Sequence, residues 1–190
     1  MTDRQTKERK WVAVVASVAH GNIHALEHIF PVVLPLLLVD FDGSVALFGA
    51  VGTAAYLTMG MGGLPAGYLA DRLGSRRSLL LGTGLCVAGC GLVAVSPSAL
   101  LVAASLSLLG VGLGLYHPAG LSLLSRTYDS FHGWSLGIHG VGGAASIVAG
   151  PAFFGVIAGM AGWRVAYLVA GGISVALLVA LLLVPEPPRG

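Results

Sequence analysis

Four ionisable side chains lie close together in an apolar stretch near the start of the chain. They are His20, His24, Glu27 and His28. If the stretch is helical, all four fall within an arc of about 100° and form one polar face. Imidazole changes charge near neutral pH and a carboxylate changes charge on protonation, so such a face can carry protons. Both groups also bind divalent transition-metal ions, and two histidines four residues apart on a helix can chelate one ion.

Further polar residues in apolar surroundings complete a candidate pathway for a substrate or for protons. The whole set is His20, Asn22, His24, Glu27, His28, Tyr116, His117 and His139. Three interpretations are open: proton coupling, a metal path through His20, His24 and His28, and a network that only holds helices together. Because four ionisable groups share one buried face, a functional role is favoured, with proton coupling narrowly ahead of metal.

The rest of the chain is unusually apolar. Its 190 residues include 10 basic and 8 acidic side chains, 56% of the residues are hydrophobic, and the mean hydropathy is +0.89. About a quarter of the residues in a soluble domain are charged, so a soluble enzyme and a disordered region are excluded. A nucleic-acid binder is excluded as well, since it needs clustered Lys and Arg for phosphate contacts. We therefore predict an integral membrane protein whose first partner is the lipid bilayer.

Six segments are long and apolar enough to cross a bilayer, which takes roughly 20 residues each. Lipid offers no hydrogen-bond partner to an open backbone, so each segment must be helical. The predicted spans are Trp11–Val39, Ser44–Leu69, Ser78–Val95, Ser98–Ser125, Trp134–Met160 and Trp163–Val184. The fold class is all-α, a transmembrane helix bundle over residues 11–184 with tails at 1–10 and 185–190. We expect Tyr116-His117-Pro118 to interrupt the fourth span, because proline removes a helix hydrogen bond.

The basic residues predict the orientation of the bundle. With six spans, nine of the ten fall on one side of the membrane, and Arg164 falls on the other. Since basic residues are enriched in cytoplasmic loops, we expect both termini in the cytoplasm and the protein in the inner cell membrane.

The loop between the second and third spans carries a specific pattern. Its marked positions are Gly67, Asp71, Arg72, Gly74, Arg76 and Arg77. The run from Gly67 to Leu79 resembles the signature loop of the major facilitator superfamily, with Ser75 at a position that is usually basic. This resemblance implies a gating loop, a cytoplasmic latch that stabilises the outward-facing state.

Other runs follow in the order that this family has. In the fifth span, Gly150, Pro151 and Gly155 resemble part of the family's antiporter motif, although Ser146 and Phe154 depart from it. The residues Gly162-Trp163-Arg164 resemble the usual entry into the sixth span. The stretches 20–36 and 116–120 are similar to the fosmidomycin-resistance branch, whose members export drugs.

The resemblance implies proton-coupled secondary transport of a small molecule, with the substrate held between two six-helix halves. The first and fourth spans would line the cavity. The driving force would be the proton gradient, and no cofactor is expected; a transition-metal ion is the alternative substrate. Because the chain matches one half, we expect it to work as a homodimer, while a fragment and a half with a different partner stay open.

Two other classes of protein are weaker candidates. An intramembrane serine protease would need an activated serine, but Gly120-Leu121-Ser122 is followed by leucine and the sixth span has no histidine to act as base. A membrane chaperone or assembly subunit would leave the polar face of the first span unexplained. We therefore expect a transporter rather than an enzyme.

Overall fold

The computed structural model of the chain describes residues 3–128 and 132–187. These ranges contain seven α-helices and no strand. The helices are α1 (Asp3–Glu27), α2 (Ile29–Asp40), α3 (Val45–Leu73), α4 (Ser75–Val95), α5 (Ala99–Thr127), α6 (His132–Ala161) and α7 (Trp163–Leu182). Six stretches are long and apolar enough to cross a membrane, which confirms the predicted all-α bundle.

The first of these stretches, Thr6–Asp40, consists of two helices with a break at His28. The His28 amide is shared between the carbonyl oxygens of His24 and Ala25, each at 3.3 Å. Pro31 has no N–H to donate to the Glu27 carbonyl four residues earlier, so that carbonyl lacks its partner within the helix. The sequence predicts a single unbroken helix here, and the break coincides with this missing donor.

The fourth span, unlike the first, is one continuous helix although it contains a proline. Helix α5 runs from Ala99 to Thr127 through Pro118, so the predicted interruption at Tyr116-His117-Pro118 is wrong. Membrane helices tolerate proline where neighbouring helices cover the freed backbone groups. Tyr116 and Ala119 on either side of Pro118 are buried against the rest of the bundle.

Serine and glycine set the ends of several helices. Ser44 and Ser98 cap α3 and α5, since each hydroxyl accepts a bond from the backbone N–H three residues later. Gly74 alone separates α3 from α4, and Gly162 alone separates α6 from α7. Both have positive φ angles, +95° and +90°, which glycine adopts without steric cost.

Small residues let the helices approach closely, as membrane packing requires. A Cβ atom on Gly112 of α5 would lie 2.7 Å from the Gly82 carbonyl oxygen of α4. On the other side of α5, a Cβ on Gly110 would lie 2.6 Å from the Thr58 hydroxyl of α3. Helix α6 approaches α1 in the same way, because a Cβ on Gly21 would meet the Ser146 hydroxyl. The last of these contacts brings α6 against α1, the helix that carries the polar face of the first span.

Candidate functional site

Imidazole rings from three helices form a cluster inside the bundle. Its members are His20 and His24 of α1, His117 of α5 and His139 of α6. The His20 ring stacks on the His139 ring, with centroids 4.0 Å apart and planes 3° from parallel. The His117 ring lies at the edge, with its centroid 5.3 Å from that of His20 and 5.4 Å from that of His24.

Glycine makes room for this cluster. A Cβ atom on Gly143 of α6 would lie 2.5 Å from Cε1 of His20 and 3.1 Å from Cδ2 of His24. Any larger residue would push the rings of α1 away from α6. The cluster therefore depends on a bare backbone at this turn of α6.

A chain of hydrogen bonds joins Glu27, His24 and His20, and we call these three residues the relay. His20 Nδ1 lies 2.8 Å from the carbonyl oxygen of His139, and His24 Nδ1 lies 3.0 Å from Oε2 of Glu27. The two Nε2 atoms of His20 and His24 are 3.1 Å apart. The relay therefore connects a carboxylate to the centre of the imidazole cluster.

The partners of the two Nδ1 atoms determine where the hydrogens are. A carbonyl oxygen can only accept, so His20 Nδ1 carries a hydrogen, and an ionised Glu27 requires the same of His24 Nδ1. Two neutral rings would then face each other with Nε2 lone pairs 3.1 Å apart, which is repulsive. One additional proton removes this repulsion in either of two positions. It can lie between the two Nε2 atoms, or it can protonate Glu27, and His24 then donates from Nε2 to His20.

Part of the relay is exposed at the surface of the chain. The side chains of His24 and Glu27 are 18% and 20% exposed, and His117 is exposed. Glu27 also borders a cavity of about 30 Å³ beside Tyr56 and Met59, which is room for a water molecule. The Tyr56 hydroxyl donates to the Glu27 carbonyl oxygen at 3.4 Å, the group left free at the helix break. Glu27 thus lies beside a small cavity and close to the surface of the chain.

Tyr116 of α5 packs against the cluster, with its ring stacked on that of His20. Its ring is 2% exposed, its hydroxyl donates to the Ala16 carbonyl oxygen at 2.6 Å, and its plane lies 7° from that of His20. The His139 Nδ1 atom is buried and has no hydrogen-bond partner in the described part of the chain.

Of the eight predicted pathway residues, four form the cluster, two contact it (Glu27 and Tyr116), and two lie outside it (Asn22 and His28). Asn22 is buried on another side of α1, where its amide donates to the Ser174 hydroxyl of α7 at 3.0 Å. His28 Nδ1 donates to the His24 carbonyl oxygen at 2.7 Å. Of the three predicted metal ligands, His20 and His24 do have ring nitrogens close together. The third histidine with a nitrogen within 4.8 Å of both is His117, and not the predicted His28.

The predicted gating loop is mostly helical, because α3 continues to Leu73 and α4 begins at Ser75. Asp71 Oδ1 lies 2.9 Å from a guanidinium nitrogen of Arg126 at the end of α5. The Arg72 guanidinium lies 4.9 Å from the centre of the Tyr68 ring. Asp71 of the loop pattern therefore joins α3 to α5 through Arg126, a basic residue that served above only to predict the orientation of the bundle.

Arg76 connects α4 to the end of α7. Its Nε and Nη2 atoms donate to the carbonyl oxygens of Leu181 at 3.1 Å and Leu182 at 2.5 Å, and its backbone N–H donates to Glu186 at 3.3 Å. A Cβ on Gly74 would lie 2.5 Å from Oε1 of Glu186. Sequence reasoning missed Glu186, because no local pattern links it to residues about 110 positions earlier.

The glycines of the antiporter-like motif bring α6 against the first span. A Cβ on Gly150 would lie 3.0 Å from the Ala25 Cα atom, and one on Gly155 would lie 3.3 Å from Val32. Pro151 lies between them within α6. These residues hold α6 close to both sides of the break at His28.

A family model of the Major Facilitator Superfamily matches residues 16–190. The chain belongs to this superfamily. The membership predicted from the loop pattern is confirmed, whereas the fosmidomycin-resistance branch stays a prediction.

Curated superfamily proteins are similar to the chain at about the same level. The methylenomycin A resistance protein of Bacillus subtilis is 31% identical over 119 residues, which are 62% of this chain and 26% of that protein. The multidrug efflux pump LfrA of Mycolicibacterium smegmatis is 31% identical over 193 residues, covering 96% of this chain and 37% of that protein. The chain thus spans only about a quarter to just over a third of the length of these relatives.

Solved structures of the superfamily share the fold. The structure of the proton:xylose symporter XylE superposes with a TM-score of 0.87 at 17% identity, covering 97% of this chain and 46% of that one. A peptide transporter POT structure superposes with a TM-score of 0.81 at 18% identity, covering 90% of this chain and 37% of that one. The described bundle thus matches less than half of each of these structures.

Proposed function

We propose that the chain is a half-transporter that exports a small organic molecule in exchange for protons. The observation that carries this proposal is the 3.1 Å contact between the Nε2 atoms of His20 and His24, whose Nδ1 atoms already have acceptors. The geometry suits a relay that holds one proton and becomes repulsive when the proton leaves. Coupling needs such a group, one whose charge and shape change together.

The charge of the relay supports this role. With the proton bound, an imidazolium and the Glu27 carboxylate compensate each other, or all three groups are neutral. Without it, the relay carries a net negative charge in the membrane, where an unpaired charge is costly. The titratable groups that face it are His117 and Tyr116 of α5, His139 of α6 and Tyr56 of α3.

The position of the relay supports coupling to helix movement. His20 stacks on His139 of α6 and lies beside His117 of α5, so separating the Nε2 atoms pushes α1 against both helices. In the superfamily, alternating access is largely a rocking of one half against the other around a central site. Protonation would thus favour one packing of these helices, and proton release the other.

Export of a small organic molecule is supported by the named relatives. One is described as a methylenomycin A resistance protein and another as a multidrug efflux pump. A partly exposed relay with the Tyr116 and Tyr56 rings beside it suits organic molecules with a polar group.

We further propose that two copies of the chain pair about an axis along the membrane normal. The chain covers 46% of the symporter structure, so a second six-helix unit would complete the architecture. In α3 and α6, 22% of the most apolar stretch is buried within the chain, against 56% in α5. We therefore assign α3 and α6 to the interface, and the relay of each copy to the shared cavity.

The charges support an orientation with both termini in the cytoplasm of the cell's inner membrane. The contacts of Asp71 with Arg126 and of Arg76 with Leu181 and Leu182 would then form the cytoplasmic latch of the gating loop. They tie α3 to α5 and α4 to α7 on that side, which suits an outward-facing state.

Transport in liposomes tests the proposal. Dyes and antibiotics are first screened in cells that lack their main exporters, and the compound best resisted is used with the purified full chain. We expect accumulation driven by an imposed pH gradient, with abolition by Glu27→Gln and by His24→Gln. Asp42→Asn is the matched control, because it removes the same charge outside the spans. Export that does not depend on the pH gradient, or that is unchanged in Glu27→Gln, would contradict proton coupling through the relay. If the chain protects cells against none of the compounds, export itself is contradicted.

A further inference from the structure

We propose that His20, His24 and His117 form a binding site for one divalent transition-metal ion. The three rings offer nitrogen atoms that all lie within 4.8 Å of one another. A metal ion bound by both Nε2 atoms would take the place of the proton. The site belongs to a single chain, so binding needs neither a transported compound nor a second copy.

The hydrogen positions leave the right atoms free. A metal binds the unprotonated nitrogen of a neutral imidazole, and the other nitrogen then carries the hydrogen. In His20 and His24 the Nδ1 hydrogens are held by the His139 carbonyl and the Glu27 carboxylate, which directs both Nε2 lone pairs into the gap between the two rings. This is the state in which the two rings cannot hydrogen-bond to each other.

The spacing of the two nitrogens suits a shared ion. Zinc–nitrogen bonds are roughly 2.0–2.1 Å long, so two nitrogens on a tetrahedral ion lie roughly 3.3–3.4 Å apart. The observed separation is 3.1 Å, which a rotation of either ring by a few degrees brings to that value. The third nitrogen, from His117, comes from a different helix and approaches from the exposed side of the cluster.

The surroundings resemble those of a built metal site. Histidine ligands in proteins almost always donate their second N–H to a carboxylate or a backbone carbonyl, which fixes the ring and raises its basicity. Here Glu27 serves His24 and the His139 carbonyl serves His20. Because His117 is exposed, the fourth position of the ion stays open to water or to a ligand.

The ligand chemistry limits the choice of ion. Three imidazole nitrogens suit Zn²⁺, Ni²⁺ and Co²⁺, whereas Mg²⁺ and Ca²⁺ prefer oxygen ligands. The Glu27 carboxylate lowers the electrostatic cost of a double positive charge at this depth.

Cobalt binding to the purified full chain tests the site, because Co²⁺ in a site with imidazole ligands absorbs visible light. After removal of metal with EDTA, we expect one Co²⁺ per chain, displaced by an equal amount of Zn²⁺ and unaffected by excess Mg²⁺. The variants His20→Gln, His24→Gln and His117→Gln should each weaken binding by about 100-fold or more. Glu27→Gln should weaken it by about 10–100-fold, as second-shell changes do.

His28→Gln is the matched control, since it removes a histidine of the same span. This histidine lies at the break after α1, and its Nδ1 donates to the His24 backbone. Binding retained in this variant and lost in His117→Gln supports the site. Loss in His28→Gln, retention in His117→Gln, or no saturable binding by the native chain overturns it. Far-ultraviolet circular dichroism of each variant identifies misfolding, and Zn²⁺ counted by mass spectrometry on the folded variants then decides. A negative result leaves the transport proposal standing, because transport is measured without added metal.

Discussion

Asp40 and Arg164 form an ion pair that joins the end of the first span to the beginning of the last. The Oδ2 and Nη1 atoms are 2.6 Å apart, and the Trp163 indole donates to the same oxygen at 3.2 Å. The guanidinium also stacks over the Trp163 ring at 4.1 Å from its centre and donates to the Ser96 carbonyl. Arg164 is the basic residue that the charge distribution places on the side opposite the other nine.

Asp40→Ala should lower the thermal stability of the chain only modestly. Both side chains are about two-fifths exposed, and a pair of this kind contributes about 0–1 kcal/mol. A loss of 1 kcal/mol lowers the Tm of a chain of this size by roughly 2–4 °C. The buried thiols of Cys86 and Cys90 allow Tm to be followed with a thiol-reactive dye. Asp42→Asn is the control, because it removes a nearby carboxylate charge and asparagine tolerates the positive φ of 46° at this position. An equal fall in that variant would contradict a role for the pair.

Gly143→Ala should disrupt the relay. The new methyl group would lie 2.5 Å from Cε1 of His20, so the His20 ring must leave its position between α1 and α6. We expect proton-driven export and cobalt binding both to fall at least tenfold. Gly140→Ala on the same helix is the control, since its methyl group would meet no described atom within 4 Å. The prediction fails if the two variants behave alike.

Gly74→Ala should destabilise the junction of α3 and α4. Its φ of +95° is unfavourable for alanine, and its methyl group would meet the Glu186 carboxylate. We expect a loss of about 1–3 kcal/mol, since strained backbone positions carry costs of this order. The double variant with Glu186→Ala should recover only the steric part of the loss. Gly67→Ala, with no described atom within 4 Å, should leave Tm nearly unchanged, and an equal loss there would be contrary to this account.

Cysteine cross-linking can test the proposed pairing of two copies. After Cys86 and Cys90 are replaced by alanine, Leu64→Cys in α3 and Val148→Cys in α6 should each give a covalent dimer with a bifunctional maleimide. Leu64 and Val148 are 83% and 77% exposed on the helices assigned to the interface. Leu92→Cys in α4 is the control, with a side chain that is 48% exposed on another face. Equal cross-linking at all three positions indicates random collision in the membrane and contradicts the interface.

Much of the bundle can be predicted from the sequence because lipid leaves the backbone few options. The number of spans and the helical state follow from apolar length alone, and the polar face of the first span follows from helix periodicity. The break at His28 and the unbroken passage through Pro118 were harder to predict. Both depend on which neighbouring groups cover the backbone atoms that a proline leaves free, and that is a property of the packed structure.

The site illustrates the same limit. Periodicity along α1 groups His28 with His20 and His24, whereas the third ring of the cluster, His117, comes from α5 about 90 residues later. Asn22 lies on the same helix as His20 but faces α7. Contacts between helices depend on how the helices are rotated about their axes, and a single sequence contains little information on that rotation.

The break at His28 allows α2 to bend relative to α1. Helix α2 has 12 residues and is about 18 Å long. A bend of about 10° at the break would displace the Asp40 end by about 3 Å. Glu27 is the last residue of α1, so the charge change and the pivot share one helical turn. A proton bound at Glu27 would therefore lie beside the break, and the Asp40–Arg164 pair at the other end of α2 would move the most.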